Sequence, residues 1–282
     1  MGKPVAWRSP RAPDTGAIQP RFVPRIRRRT AVESAQGIQP LAADWSVARP
    51  GRYAGDSMVR LVLFDIDGTL IRTGRAGVAA FVQTFADEFG IRDGVERLQF
   101  AGRTDTSLVR EVLLAHGVQP TAAHFQRFFD RYVFLLEEQL RRSQGQVIPG
   151  VVSFLDGLER LPVPPLLGLL TGNIRLGAEI KLRHYGLWER FQVGGFADDA
   201  EDRAVIAAIA RQRGARVLGR SLEGEEVLVV GDTPLDIDCA RAIGARVLAV
   251  ATGGYSRAQL RLHHPCWLAD SLAEVNPARV CA

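Results

Sequence analysis

Two kinds of apolar pattern alternate along most of this chain, and they begin at Met58. One is a short, mainly apolar run, seen at residues 59–64, 165–170, 192–194, 226–230 and 246–250. Such runs predict strands buried on both faces. The other places apolar residues three and four apart, at 150–161, 176–185, 201–213 and 235–243, and predicts helices. Alternation of the two implies a parallel sheet with helices on both faces. Ligands in such sheets bind beyond the carboxyl ends of the strands.

One stretch breaks the alternation. Residues 73–146 carry only helical spacing, at 77–89, 107–116 and 124–141, with no strand between. An all-helical block between the first and second strands reads as an inserted cap domain. The expected organisation is an α/β, Rossmann-like core over 58–72 and 148–275, and a helical cap over 73–147. The chain crosses between them near 70–74 and 145–150. A lid over the strand ends excludes water and selects substrate.

Residues 1–57 show no sustained period. They hold ten of the 36 basic residues, including the run Arg25-Ile26-Arg27-Arg28-Arg29, and four of the 31 acidic ones. The net charge of +5 therefore belongs to this tail, and the remainder is close to neutral. Too little apolar surface is present to offset ordering entropy, so the tail is expected to be disordered. A transit peptide, an RNA-contacting arm, or a start codon placed ahead of Met58 are alternative readings. Nucleic-acid contact is confined to this tail. No apolar stretch has the length of a membrane span. Cys239, Cys266 and Cys281 form no metal or disulfide spacing. That suits a reducing, cytoplasmic setting.

Chemistry-bearing residues cluster at the predicted strand ends. The first run closes as Asp65-Ile66-Asp67-Gly68-Thr69-Leu70. Residues two apart on a strand share a face, so Asp65 and Asp67 are expected to crowd one site. Close carboxylates repel unless a cation or shared proton lies between them, and Mg²⁺ prefers oxygen ligands. The second run ends in Thr171-Gly172-Asn173, whose hydroxyl and turn amides suit phosphate oxygens. A later run ends in Gly231-Asp232-Thr233-Pro234-Leu235-Asp236, where helix capping is the alternative reading. Acids opening a helix at 198–202 fit its dipole, and Arg203 beside them does not.

In this order, the set resembles the haloacid dehalogenase-like hydrolase superfamily. Asp65-Ile66-Asp67-Gly68-Thr69-Leu70 resembles its first motif and Thr171 its second. Arg203 falls near the third, and Gly231-Asp232-Thr233-Pro234-Leu235-Asp236 resembles the fourth. The resemblance runs from about 59 to 273. The cap is similar to the small cap of the phosphoglycolate phosphatase-like and β-phosphoglucomutase-like branch. The resemblance implies that Asp65 attacks phosphorus to give an aspartyl-phosphate. Asp67 then protonates the leaving oxygen and later deprotonates water. Mg²⁺ would be held by the Asp65 carboxylate, the Asp67 backbone carbonyl and Asp232, with Asp236 supporting from behind. Thr171 and neighbouring groups (Thr69, Gly172, Asn173) would bind substrate. The family usually has lysine at the third motif, and Arg203 is expected to supply that charge here.

Asp67 separates chemistries within the family, because a dehalogenase has no oxyanion leaving group that needs a proton. A phosphonate hydrolase would want a cap lysine, and residues 59–180 contain none. The expected activity is Mg²⁺-dependent hydrolysis of a small phosphorylated metabolite. The alternatives are a phosphomutase of the same fold, or a catalytically idle binding protein with an RNA-contacting tail. In the cap, Arg103 of Gly102-Arg103-Thr104-Asp105 is the candidate reader of a substrate carboxylate or second phosphate, with a helix N-cap as the alternative. Oligomeric state is not legible in the sequence.

Overall fold

The computed structural model describes residues 58–282, and the tail over 1–57, with its Arg25–Arg29 run, lies outside the described residues. Through the first half the elements are β1 (Leu61–Phe64), β2 (Ile71–Arg72), α1 (Ala76–Phe89), α2 (Asp105–Ala115), α3 (Ala122–Arg142) and β3 (Gln146–Val147). Then follow α4 (Val151–Glu159), β4 (Leu166–Leu170), α5 (Arg175–His184), β5 (Val193–Gly195), α6 (Arg203–Leu218) and β6 (Val227–Gly231). The chain closes with α7 (Pro234–Ala242), β7 (Arg246–Val250), α8 (Arg257–Arg261), β8 (Trp267–Ala269) and α9 (Pro277–Cys281).

Six strands form one parallel sheet in the order β5-β4-β1-β6-β7-β8. Its strands are apolar except for the buried Arg246 that opens β7, yet their side chains still alternate. Val62, Phe64, Leu167, Leu169, Leu228 and Val230 join one core with Leu155 of α4, Leu182 of α5 and Val280 of α9. Leu61, Leu63, Leu170, Val227 and Val229 join the opposite core with Ile206 of α6, Ile237 of α7 and Leu260 of α8. Burial on both sides explains why these strands are almost wholly apolar.

Three differences from the sequence reading stand out. A sixth strand, β8, extends the edge beside β7. It has only three residues, two of them part-buried, which is too short for a periodic signal. The extreme C-terminus belongs to the core rather than lying outside it. Val280 and Cys281 are buried, and the Val59 amide donates to the Cys281 carbonyl at 3.0 Å. At the expected crossings the two passages pair as an antiparallel ribbon, Ile71 opposite Val147 and Arg72 opposite Gln146.

Helices α1–α3 form their own apolar cluster around Phe81, Phe85, Phe128, Leu108 and Leu136. Phe81 and Phe128 stack edge to face with ring centroids 4.8 Å apart, and Phe85 packs on Phe128 at 4.6 Å. No helix among the described residues is long and apolar enough to cross a membrane.

Candidate active site

Sheet order builds the site. Strand β1 lies between β4 and β6, with Phe64 opposite Leu169 on one side and Val230 on the other. The residues that follow, Asp65, Thr171 and Asp232, therefore emerge side by side. Cap helices roof these ends and enclose a cavity of about 440 Å³. Asp65, Asp67, Thr171, Gly172, Asn173, Arg203 and Asp232 line its core side, and Phe81, Phe100, Arg103, Asp105, Leu108 and Tyr132 its cap side.

Carboxylate oxygens of Asp65, Asp232 and Asp236 all lie within 4.8 Å of one another, and all three residues are buried. They are not equivalent. Asp236 is fully engaged: its Oδ2 accepts from the Thr233 amide at 3.0 Å and hydroxyl at 2.7 Å, and its Oδ1 accepts from Arg203. Thr233 and Asp236 thereby form a capping box on α7 with Pro234 in its first turn. The capping reading of this motif holds for those two residues and leaves Asp232 out. Asp232 receives only the Thr69 hydroxyl, at 2.9 Å on Oδ1. Thr69 is fully buried, and its hydroxyl is directed at Asp232.

Arg203, at the first position of α6, is the buried counter-charge. It is 8% exposed. Its Nη2 donates to Asp236 Oδ1 and lies 3.6 Å from Asp65 Oδ1, while Nη1 donates to the Gly102 carbonyl of the cap at 3.1 Å. The surface alternatives are taken by other residues: Glu201 pairs with Arg110 and Asp199 with Arg213. Burial works against the Arg203 charge, and Asp236 and Asp65 outweigh it, so the guanidinium stays protonated.

One arginine does not balance three buried carboxylates. Burial first, then Asp236, lifts the Asp65 carboxyl from 3.8 to about 7, against the pull of Arg203. Burial and the Asp65 charge push Asp232 well above the carboxylate range. A buried oxygen site with a deficit of positive charge is the chemistry of a divalent cation site, and the donors present fit Mg²⁺.

Asp67 stands apart from this cluster. Strand β1 ends at Phe64, Ile66 turns back into the core, and the chain tightens through Gly68 at φ +93°. The two acids are not disposed by strand alternation, because Asp67 lies beyond the strand. Its side chain is 41% exposed and turns toward β4 and α5. There Oδ2 accepts from Asn173 Nδ2 at 2.9 Å and from Lys181 Nζ at 2.6 Å. Lys181 was not among the residues singled out by sequence. A signal existed: α5 buries Ala178, Lys181 and Leu182, so a lysine occupies the apolar stripe of its helix.

Asn173 differs from its expected role. Its Oδ1 accepts from Lys181 at 2.6 Å, and its Nδ2 also donates to Thr171 Oγ1 at 2.8 Å. These bonds make the side chain a brace between Asp67 and Thr171, on the lining of the cavity. Thr171 accepts these bonds and keeps its own hydroxyl proton to donate toward the cavity.

The cap reaches the core through the start of α2. The Asp105 amide donates to the Gly172 carbonyl at 2.7 Å, and Asp105 Oδ2 accepts from the Ile174 amide at 2.8 Å. Burial lifts the Asp105 carboxyl to about 6, with Lys181 and the Ile174 amide pulling the other way. Gly172 permits this approach, since a Cβ there would fall 2.0 Å from the Arg103 carbonyl oxygen. Thr104 caps α2 by accepting from the Ser107 amide. Arg103 lines the cavity, but its Nη1 pairs with Glu111 Oε2 at 2.6 Å.

The model of the haloacid dehalogenase-like hydrolase family matches residues 62–250. The chain belongs to that family. A phosphoglycolate phosphatase of Synechococcus elongatus is 28% identical over 233 residues, covering 78% of this chain and 97% of its own. Pyrophosphatase PpaX of Bacillus cereus is 25% identical over 229 residues, covering 78% and 95%. Among solved structures, CbbY from Rhodobacter sphaeroides in complex with phosphate superposes with a TM-score of 0.63 at 20% identity, covering 79% of this chain and 99% of that one. The structural likeness concerns the fold.

Proposed function

We propose that this protein is a Mg²⁺-dependent phosphomonoester hydrolase that acts on a small phosphorylated metabolite through a phosphoaspartate on Asp65. The observation that carries this reading is the buried Asp65 carboxylate on the cavity floor, beside Asp232 and with Arg203 behind it. Relatives named as phosphatases support it.

Asp65, the Asp67 backbone carbonyl and Asp232 would hold Mg²⁺. When bound, the ion offsets the repulsion between a carboxylate nucleophile and a phosphate dianion. Arg203 keeps Asp236 and the far side of Asp65 neutralised, so an Asp65 oxygen faces phosphorus. The Thr171 hydroxyl and the Gly172 amide orient the non-reacting phosphate oxygens. As the P–O bond breaks, Asp67 passes a proton to the leaving oxygen. Water then attacks the phosphoaspartate and returns one proton to Asp67, releasing inorganic phosphate and regenerating Asp65.

A cavity of about 440 Å³ is in the size range of small-molecule sites and suits a metabolite. The test is phosphate release across a panel of phosphorylated metabolites, with Mg²⁺ and with chelator. Release confined to the Mg²⁺ arm supports the reading. Isomerised sugar phosphate in place of free phosphate would convert it to a mutase, and no reaction with any member would overturn it.

A further inference from the structure

Lys181 is the most deeply buried cation whose role the mechanism above leaves open. It is 4% exposed, and its ammonium has two polar partners: Asp67 Oδ2 and Asn173 Oδ1, each at 2.6 Å. Burying an ammonium is costly, and a methionine would fill the same stripe of α5 without that cost. The cost buys order at Asp67. That carboxylate sits in a turn, 41% exposed, where it would otherwise sample several rotamers. Lys181 and Asn173 both converge on Oδ2, leaving Oδ1 as the oxygen not held by them. The brace also reaches Thr171 through Asn173, so one lysine sets the acid and the phosphate-orienting hydroxyl in a common frame.

We propose that Lys181 is a positioning residue that fixes Asp67 for proton transfer to the leaving oxygen. The inference rests on the phosphatase reading above. In the first step the proton passes from Asp67 to the leaving oxygen as the P–O bond breaks, and the negative charge left on Asp67 faces the Lys181 ammonium. In the second step water returns a proton to Asp67. Lys181 keeps its own protons throughout, so no further co-reactant is required. Preorganised charge of this kind acts where charge develops, in the transition state.

The role predicts a dependence on the leaving group. An aryl phosphate such as p-nitrophenyl phosphate releases a weakly basic phenolate that scarcely needs a proton, whereas an alkyl phosphate releases an alkoxide that does. Lys181→Met is expected to lower kcat for an alkyl phosphate about 100-fold, the lower range of general acid catalysis, and kcat for the aryl ester only a few-fold, with KM little changed on either. Adding Lys181→Met to Asp67→Asn is expected to cost nothing further on the alkyl ester. Where Lys181→Met does not fold, Lys181→Gln removes the cation and carries the same comparison of esters, and Lys181→Arg, which restores the cation, is expected to recover turnover of the alkyl ester. Equal losses on both esters, or a full second loss in the double variant, would overturn the proposal. Absence of turnover in the unsubstituted enzyme on every ester would instead overturn the phosphatase reading.

Discussion

Arg203 and Asp65 face each other across 3.6 Å with Asp236 bonded to the same guanidinium nitrogen, so the candidate nucleophile shares its buried counter-ion with a helix cap. The third contact of Arg203, to the Gly102 carbonyl, ties this arrangement to the cap. Removing the charge strands Asp236 in the core. Arg203→Met is expected to lower unfolding free energy by about 3–5 kcal/mol in urea titrations, the usual cost of an orphaned buried ion. Arg203→Lys keeps charge but lacks the planar fork that spans Asp236 and Gly102. It is expected to fold and to lose at least about tenfold in kcat, which steady-state assays measure.

Stability should respond to pH and metal together. The Asp65 carboxyl is lifted from 3.8 to about 7, chiefly by burial. A raised acid favours the folded state fully below 3.8, and that contribution is lost as pH rises to about 7. Without cation, thermal stability is therefore expected to fall across that window. Mg²⁺ replaces the proton, so the rise in Tm that it produces should be larger at pH 8 than at pH 5. Melting curves with Mg²⁺ and with chelator at both pH values check this.

Two glycines should report separately on metal and cap. Gly68 has φ +93°, and a Cβ there would lie 2.6 Å from Asp232 Oδ2. Gly68→Ala is expected to raise the Mg²⁺ concentration for half-maximal activity about tenfold or more. Gly172→Ala would set a methyl 2.0 Å from the Arg103 carbonyl oxygen and push the cap from the core. Its expected signature is loss of kcat/KM with the Mg²⁺ requirement unchanged. Metal titrations of both variants distinguish the two.

Selectivity for a second anion should depend on Arg75. Arg103, the candidate from sequence, already pairs with Glu111, and Arg72 donates to the Thr252 carbonyl. Arg75 also lines the cavity, at φ +69° ahead of α1. Arg75→Gly suits that backbone and removes only the cation. It is expected to raise KM for a carboxylate-bearing phosphate such as 2-phosphoglycolate about tenfold, and to leave KM for p-nitrophenyl phosphate within twofold. Parallel Michaelis curves test it.

Much of the fold was legible because doubly buried strands leave mainly apolar runs. β7 lies where the run at 246–250 puts it, and Asp65, Thr171 and Asp232 follow their strands directly. What escaped was set by contacts across the chain. Asn173 looked like a phosphate-binding turn residue because nothing local shows that Lys181 and Asp67 occupy its amide. Thr69 looked available to substrate because its burial against Asp232 depends on β6. Asp67 was grouped with Asp65 by strand spacing, yet the strand ends before either.

The central claim is that Asp65 takes up the phosphoryl group, and trapping it there is the most direct test. Enzyme quenched in acid during turnover of a phosphomonoester, then digested and mapped by mass spectrometry, should carry phosphate on Asp65. Asp65→Asn should carry none and release none while melting as a folded protein. Phosphate on another residue, or sustained turnover by Asp65→Asn, would contradict the account.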